Sequence, residues 1–309
     1  MQTGSGHIAI LEIARSGFRL TFERPWLIAA WALTSFTYNV LGSVFAAAIA
    51  GPAITRIFDM VGQANPDPNA AAPLLTQIAP AYAVLMVPGL MVNAVYLASA
   101  NRALSRPAAD RSGYIGLGRD VLLQFGLLLI LTAVGFGVVL ALLLISTGLG
   151  VLLTPANARL LAMLVAILGL GYVWLRFSLA SPATYSNGRI DLLHAWTSTA
   201  GRVWLLARVY LFVLLLSGVV YLLGAVAIEK GMSAALGGEG AFDALTRFDF
   251  RSPLTLLTPA RLVLSALYAV LSALILPVLL CPSIAIYRAL TPTPRPTPSP
   301  ATGGASPWG

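Results

Sequence analysis

Residues that carry chemistry are scarce in this chain. Among 309 residues there is one cysteine, Cys281, two histidines, His7 and His194, and one lysine, Lys230. A lone cysteine forms no intrachain disulfide, and beside Pro282 in an apolar run its thiol is a packing group rather than a nucleophile. Metal-assisted hydrolysis needs carboxylates and histidines clustered around an ion. His7 and His194 are far apart in sequence and read as solvated surface residues. The fragments Gly116-Leu-Gly118-Arg-Asp and Gly148-Leu-Gly150 lack the preceding strand and the spacing of a phosphate loop, so they read as turns. No catalytic residue, metal ligand or cofactor is assigned, and the chain is expected not to be an enzyme.

Charge is sparse too. Only 10% of residues are Asp, Glu, Lys or Arg, against 58% hydrophobic, a balance that leaves a water-soluble fold short of polar surface. What fills the chain instead is six apolar runs, near 26–50, 80–101, 121–147, 160–180, 209–228 and 262–287. About 20 residues at ~1.5 Å rise cross the ~30 Å hydrocarbon layer. The expected fold is an all-α membrane protein with six transmembrane helices in a single polytopic domain, 1–290. The Pro/Thr-rich tail, 291–309, lacks apolar residues for a core and is expected to be disordered. The small-residue ending Ala46, Ala48, Ala50 resembles a signal cleavage site, but the run before it is too long and starts too late, so it reads as an uncleaved span.

Basic residues orient the spans. Thirteen of the 19 fall on the side shared by both termini and six on the other, while the acids divide five to six. By the positive-inside rule both termini are cytoplasmic, and the net charge of +8 lies on that face, suited to anionic lipid headgroups. No basic patch interleaved with aromatics points to nucleic acid.

Two amphipathic stretches are expected to lie at the interface as helices, near 8–23 and 189–201. In the first, Glu12, Arg15, Arg19 and Glu23 share a narrow stripe. In the second, Leu192, Leu193, Trp196 and Ala200 share one face, and Asp191, His194, Ser198 and Arg202 the other. Between spans two and three, 102–119 is expected to hold a short helix or turn. Outside the bilayer, 51–79 and 229–260 are expected to be loops, with Phe242, Phe248 and Phe250 touching a partner or the membrane surface.

The stretch Arg176-Phe-Ser-Leu-Ala-Ser-Pro182-Ala-Thr-Tyr-Ser-Asn-Gly-Arg189, followed by Leu192-Leu193, Trp196, Thr199, Gly201 and Trp204, resembles a family of bacterial six-helix inner-membrane proteins. That family includes the membrane domain attached to some glycerophosphoryl diester phosphodiesterases. The motif likeness covers about 30 residues, from a span-ending proline to a short cytoplasmic helix. It departs where relatives often carry an acid after the proline; Tyr185, Ser186 and Asn187 stand there. The resemblance implies the six-helix fold and the bacterial cytoplasmic membrane. It implies no phosphodiesterase activity, because that chemistry belongs to a soluble barrel absent from this chain.

No Asp, Glu, Lys or His lies within the six runs, where ion-coupled transporters usually place ionisable groups. Two candidate sites remain. Arg176, Arg189 and Arg202 beside Trp196 could contact lipid headgroups. Asn39 and Asn93 could line a polar cavity between spans one and two. Kinks are expected at Pro88-Gly89, Pro277 and Pro282, and close helix contacts at Gly135, Gly137, Gly169 and Gly171. The expected role is organising lipids or a membrane-protein partner at the cytoplasmic face; the alternative is a carrier or lipid translocator working through a cavity.

Overall fold

The computed structural model describes residues 10–61, 68–105, 116–152, 155–246, 250 and 252–291. Among these there is no strand. The helices are α1 (Ile10–Glu23), α2 (Pro25–Val61), α3 (Pro68–Ser105), α4 (Arg119–Leu152), α5 (Pro155–Phe177), α6 (Ala180–Asn187), α7 (Leu192–Ser198), α8 (Val203–Leu236), α9 (Glu239–Thr246) and α10 (Pro259–Leu290). His7, Phe248, the expected turn at 106–115 and the tail from 292 lie outside the described residues.

Six helical segments are long and apolar enough to cross a membrane: α2, α3, α4, α5 with α6, α8 and α10. Their burial identifies the solvent. Only 6% of the most apolar window of α4 and 11% of that of α8 is covered by protein, and Leu214, Leu215, Leu222 and Leu223 project outward. In water such a surface would cost about 25 cal/mol per Å² of apolar area, whereas acyl chains accept it. The chain is a multi-pass integral membrane protein.

Helices run past the expected spans, α2, α3 and α8 among them. α2 and α3 are 37 and 38 residues long. At about 1.5 Å per residue each exceeds the ~30 Å hydrocarbon layer. Much of the expected loop 51–79 is therefore helix. The break in α2 falls at Ala50, with φ −134° and ψ 17°. Pro52 then sits in the first turn of the resumed helix, where a missing N–H leaves no bond unmade. Phe250 caps this end: its N–H donates to Thr55 Oγ1 at 3.1 Å, and its ring stacks on Phe58 at 5.8 Å. Phe242 is buried beside Met232 and Leu264. Both phenylalanines thus pack within the protein, because α9 and Phe250 lie against the bundle.

Proline also explains α6, which the apolar runs did not reveal. The fourth span was expected to stop near 180, yet the chain turns and continues as α6 with Ala180 to Thr184 all buried. Pro182 is the third residue of α6, a position whose N–H has no helical partner in any case. Gly188, at φ +61°, then ends α6 in a left-handed conformation that side chains resist.

α1 directs Ile13, Gly17 and Leu20 into the bundle and leaves Glu12, Arg15 and Arg19 outside. A Cβ on Gly17 would lie 2.5 Å from Val278 Cα and 2.7 Å from the Pro277 carbonyl oxygen. Glycine lets the backbones of α1 and α10 touch there. The glycines expected at close contacts behave otherwise: a Cβ at Gly135, Gly137, Gly169 or Gly171 would meet nothing within 4 Å. These glycines face open space.

Gly17→Ala forces α1 away from rigid backbone rather than from a pliable side chain. It should cost about 1–3 kcal/mol, the range for overpacking, seen as a lower thermal midpoint in detergent. Gly135→Ala should leave that midpoint unchanged.

Candidate functional site

α5 ends in Arg176-Phe177, and α7 lies across that end. Two features hold α7 in place. Asp191 caps its N-terminus, the carboxylate accepting from the His194 N–H at 3.0 Å and from Asn187 Nδ2 at 2.9 Å. At the other end Thr199 is buried, and its hydroxyl contacts the Arg176 carbonyl oxygen at 3.1 Å. The backbone bond from His194 is the main reason that the Asp191 carboxyl is held below the usual carboxylate range, helped by Asn187 and Arg189.

Clamped in this way, α7 sets Trp196 against α5. The Arg176 guanidinium carbon lies 4.1 Å from the Trp196 ring centroid. Phe177 and Tyr172 approach the same ring at 5.3 and 6.3 Å. A cation over an indole face is attracted by the ring quadrupole, by about 2 kcal/mol when desolvated. Arg176 is only 6% exposed, and its Nε has no hydrogen-bond partner. No carboxylate pairs with it among the described residues.

The other expected members stand apart from this pair. Arg189 is 79% exposed and points to Asp191 at 3.8 Å. Arg202 is exposed in the turn that opens α8. The structure therefore joins Arg176 to Trp196 and sets Arg189 and Arg202 on either flank of α7. Asn39 lines a cavity of about 240 Å³ between α2 and α3, with Tyr38, Tyr82 and Phe250 among its neighbours. Asn93 is exposed elsewhere, its amide donating to the Gly89 carbonyl of its own helix at 2.8 Å.

A second buried arginine had no expected role. Arg102, 5% exposed, donates from Nε and Nη2 to the two oxygens of Asp120, each at 2.5 Å, and from Nη1 to the Gly116 carbonyl at 2.7 Å. A Cβ at Gly118 would sit 2.8 Å from Asp120 Oδ1 and 3.1 Å from Arg102 Nη2. The fragment Gly116-Leu-Gly118-Arg-Asp is thus a turn that admits a fork-to-fork ion pair. Its glycines were the available signal. Among the described residues no three of His, Cys, Asp and Glu converge to hold a metal ion. His194 lies edge-on to Tyr287, with ring centroids 6.0 Å apart.

The two arginines differ in what they can do. Arg102 is saturated by its carboxylate and a carbonyl. Arg176 has hydrogen-bonding capacity to spare, at the end of a membrane helix, under an aromatic ring. That arrangement suits an anion with oxygen acceptors, above all a phosphate. No protein-family model matches the chain, and no curated protein or solved structure resembles it significantly.

The contrast predicts opposite stabilities. Arg102→Leu strands a half-buried carboxylate and should cost about 3 kcal/mol or more. Arg176→Leu strands no charge, and relief of the buried cation offsets the lost contact with Trp196, so the thermal midpoint in detergent should be unchanged or higher. A pH effect follows from the cap. Because the folded Asp191 carboxyl titrates below its unfolded value of about 3.9, its contribution is complete above that pH and lost as pH falls through the lower folded value. Protection of the His194 amide from hydrogen exchange, taken relative to its intrinsic rate at each pH, should fall over that acid window in the parent chain, and should already be low at neutral pH in Asp191→Ala.

Proposed function

We propose that this protein is a non-enzymatic membrane component that organises anionic lipid at the cytoplasmic face, with Arg176 under Trp196 as its headgroup anchor. The observation that carries the reading is the buried guanidinium without a carboxylate. Taking a cation out of water is costly unless it is paired. Arg102 has its partner within the chain; the partner of Arg176 comes from the membrane as a lipid phosphate. Arg189 and Arg202 flank the anchor and add attraction for an anionic surface, worth about 1 kcal/mol per basic residue. Trp196, about one-third exposed, suits the headgroup level, where tryptophan gathers.

The 13 to 6 distribution of basic residues supports placing both termini, and with them α7, in the cytoplasm. The likeness of 176–204 to the six-helix bacterial family supports the bacterial cytoplasmic membrane as the location. A membrane-protein partner on the same face is compatible with this role. A second reading, a carrier or lipid translocator, draws on the cavity that Asn39 lines. Its volume of about 240 Å³ lies below the usual ~300–1,000 Å³ of ligand sites. The absence of Asn93 from its walls also weakens that reading.

The test is native mass spectrometry of the protein released from its own membrane. The parent chain should retain an anionic phospholipid, and Arg176→Leu should lose it by about tenfold or more, the scale of one charge-assisted hydrogen-bond set. Arg189→Ala and Arg202→Ala should lower retention less. The same loosely bound mixture in every variant would overturn the anchor. For orientation, Arg189→Cys in a Cys281→Ala background should react with a membrane-impermeant maleimide only after the cytoplasmic face is opened.

A further inference from the structure

A larger cavity lies between α3, α4, α5, α6, α8 and α10. It holds about 550 Å³, well within the usual range for ligand sites of ~300–1,000 Å³. Along α4 its wall runs from Leu127 to Gly135, eight residues or about 12 Å of helix. The far end is apolar, lined by Val134, Gly135, Leu170 and Gly171, the two glycines being those whose absent side chains leave open space.

The near end is lined by hydroxyls. Ser178 and Ser283 donate to the carbonyls of Leu175 and Leu280, each at 2.8 Å, so their protons are used. Ser181 Oγ accepts from Asn101 Nδ2 at 3.1 Å. Its own proton has no acceptor among the described residues. Tyr210 is 4% exposed, its ring edge-on to Trp174 at 4.7 Å; its hydroxyl lies beside the Ser178 and Ser283 oxygens but forms no hydrogen bond of good geometry with them. Two O–H donors therefore converge at one end of an apolar cavity. No charged side chain lines it.

A buried donor left unpaired costs about 1–3 kcal/mol. In a membrane bundle water does not readily supply the missing acceptor. The complementary ligand is an uncharged acceptor on a flexible apolar chain. We propose that this cavity is an intramembrane site for one acyl chain of a bilayer glycerolipid, its ester carbonyl accepting from Tyr210 and Ser181. The site differs from the Arg176 anchor and does not depend on it. A free fatty-acid carboxylate fits less well, since no cation is present to pair with it.

The test uses the full chain in phosphatidylcholine nanodiscs doped with a phosphatidylcholine that carries a mid-chain diazirine. After irradiation, peptide mapping should find label at Val134 and Leu170 several-fold above that at Leu222, which faces bulk lipid. Gly135→Leu with Gly171→Leu should fill the far end and lower that label about tenfold. Tyr210→Phe should lower it about three- to tenfold, the value of one neutral hydrogen bond. An ether-linked probe, lacking the carbonyl, should behave on the parent chain as the ester probe does on Tyr210→Phe. Should the double glycine variant fail to fold, the tyrosine variant and the ether probe decide alone. Equal label at Val134 and Leu222 in every variant overturns the site, since the cavity would then be ordinary bilayer. Strong cavity label that neither Tyr210→Phe nor the ether linkage changes overturns the carbonyl recognition. Arg176→Leu should leave this label intact, so failure of the headgroup anchor and failure of this site are separable.

Discussion

One turn near the end of α3 holds the bundle together, and it does so with polar side chains. Ser99 accepts from the Trp31 indole at 2.9 Å and ties α3 to α2. Asn101 donates to Ser181 at 3.1 Å and ties it to α6. Arg102 grips Asp120 and ties it to the start of α4. Gln124, one turn further along α4, donates to the Ser181 carbonyl at 3.0 Å and closes the circuit. Where lipid surrounds a fold, apolar packing alone discriminates poorly between partners, because acyl chains are as good a solvent for leucine as another helix is. Directional bonds that have no substitute in hydrocarbon then fix which helices meet.

That circuit explains the position of α6, and through it the position of the candidate site. Ser181 is held from two sides, so α6 is drawn into the bundle, and the left-handed Gly188 must turn the chain sharply to release α7. α7 then has one place to lie, over the end of α5. Thr199 and Asp191 secure its ends, and Trp196 comes down on Arg176. The headgroup site is thus built from the interior outward, and its exposed arginines are the least constrained part of it.

The legibility of this fold in its sequence follows the range of each interaction. The six spans were readable because an apolar run needs no partner to declare itself. The Asp191 cap lay within an amphipathic stretch that had been recognised as a helix, although α7 proves shorter than that stretch. α6 was hidden because its composition, Ala-Ser-Pro-Ala-Thr, has neither an apolar run nor a helical stripe, and its burial is imposed by Asn101 and Gln124 from distant parts of the chain. Arg102 and Asp120 looked like two more loop charges. Their pairing spans 18 residues and depends on a glycine turn whose geometry composition does not encode. Gly135 and Gly171 show the reverse error: small residues suggest close packing, yet here they face the open space of the large cavity. For the site, the sequence brought Arg176 and Trp196 together correctly as neighbours of one span end. It did not separate the buried arginine from the exposed ones, because burial at a helix terminus depends on what lies across it.

The same helix, α5, borders both proposed lipid sites, and this has a physical reason. A span that meets few neighbours retains unfilled surface, and α5 is covered along only part of its length, by α4, by α8 and, at its end, by α7. A soluble protein would close such gaps, because water in an apolar crevice is expensive. A membrane protein has less cause to do so, since a lipid chain fills a crevice without exposing apolar area. What turns a filled crevice into a site is polarity that the chain leaves unanswered. Arg176 beneath α7 and Tyr210 in the large cavity are two such buried groups, one asking for an anion and one for a neutral acceptor, and a phospholipid carries both. We assign them to two lipids, one at each site, with the Phe177 ring packed against Trp196 and also lining the large cavity.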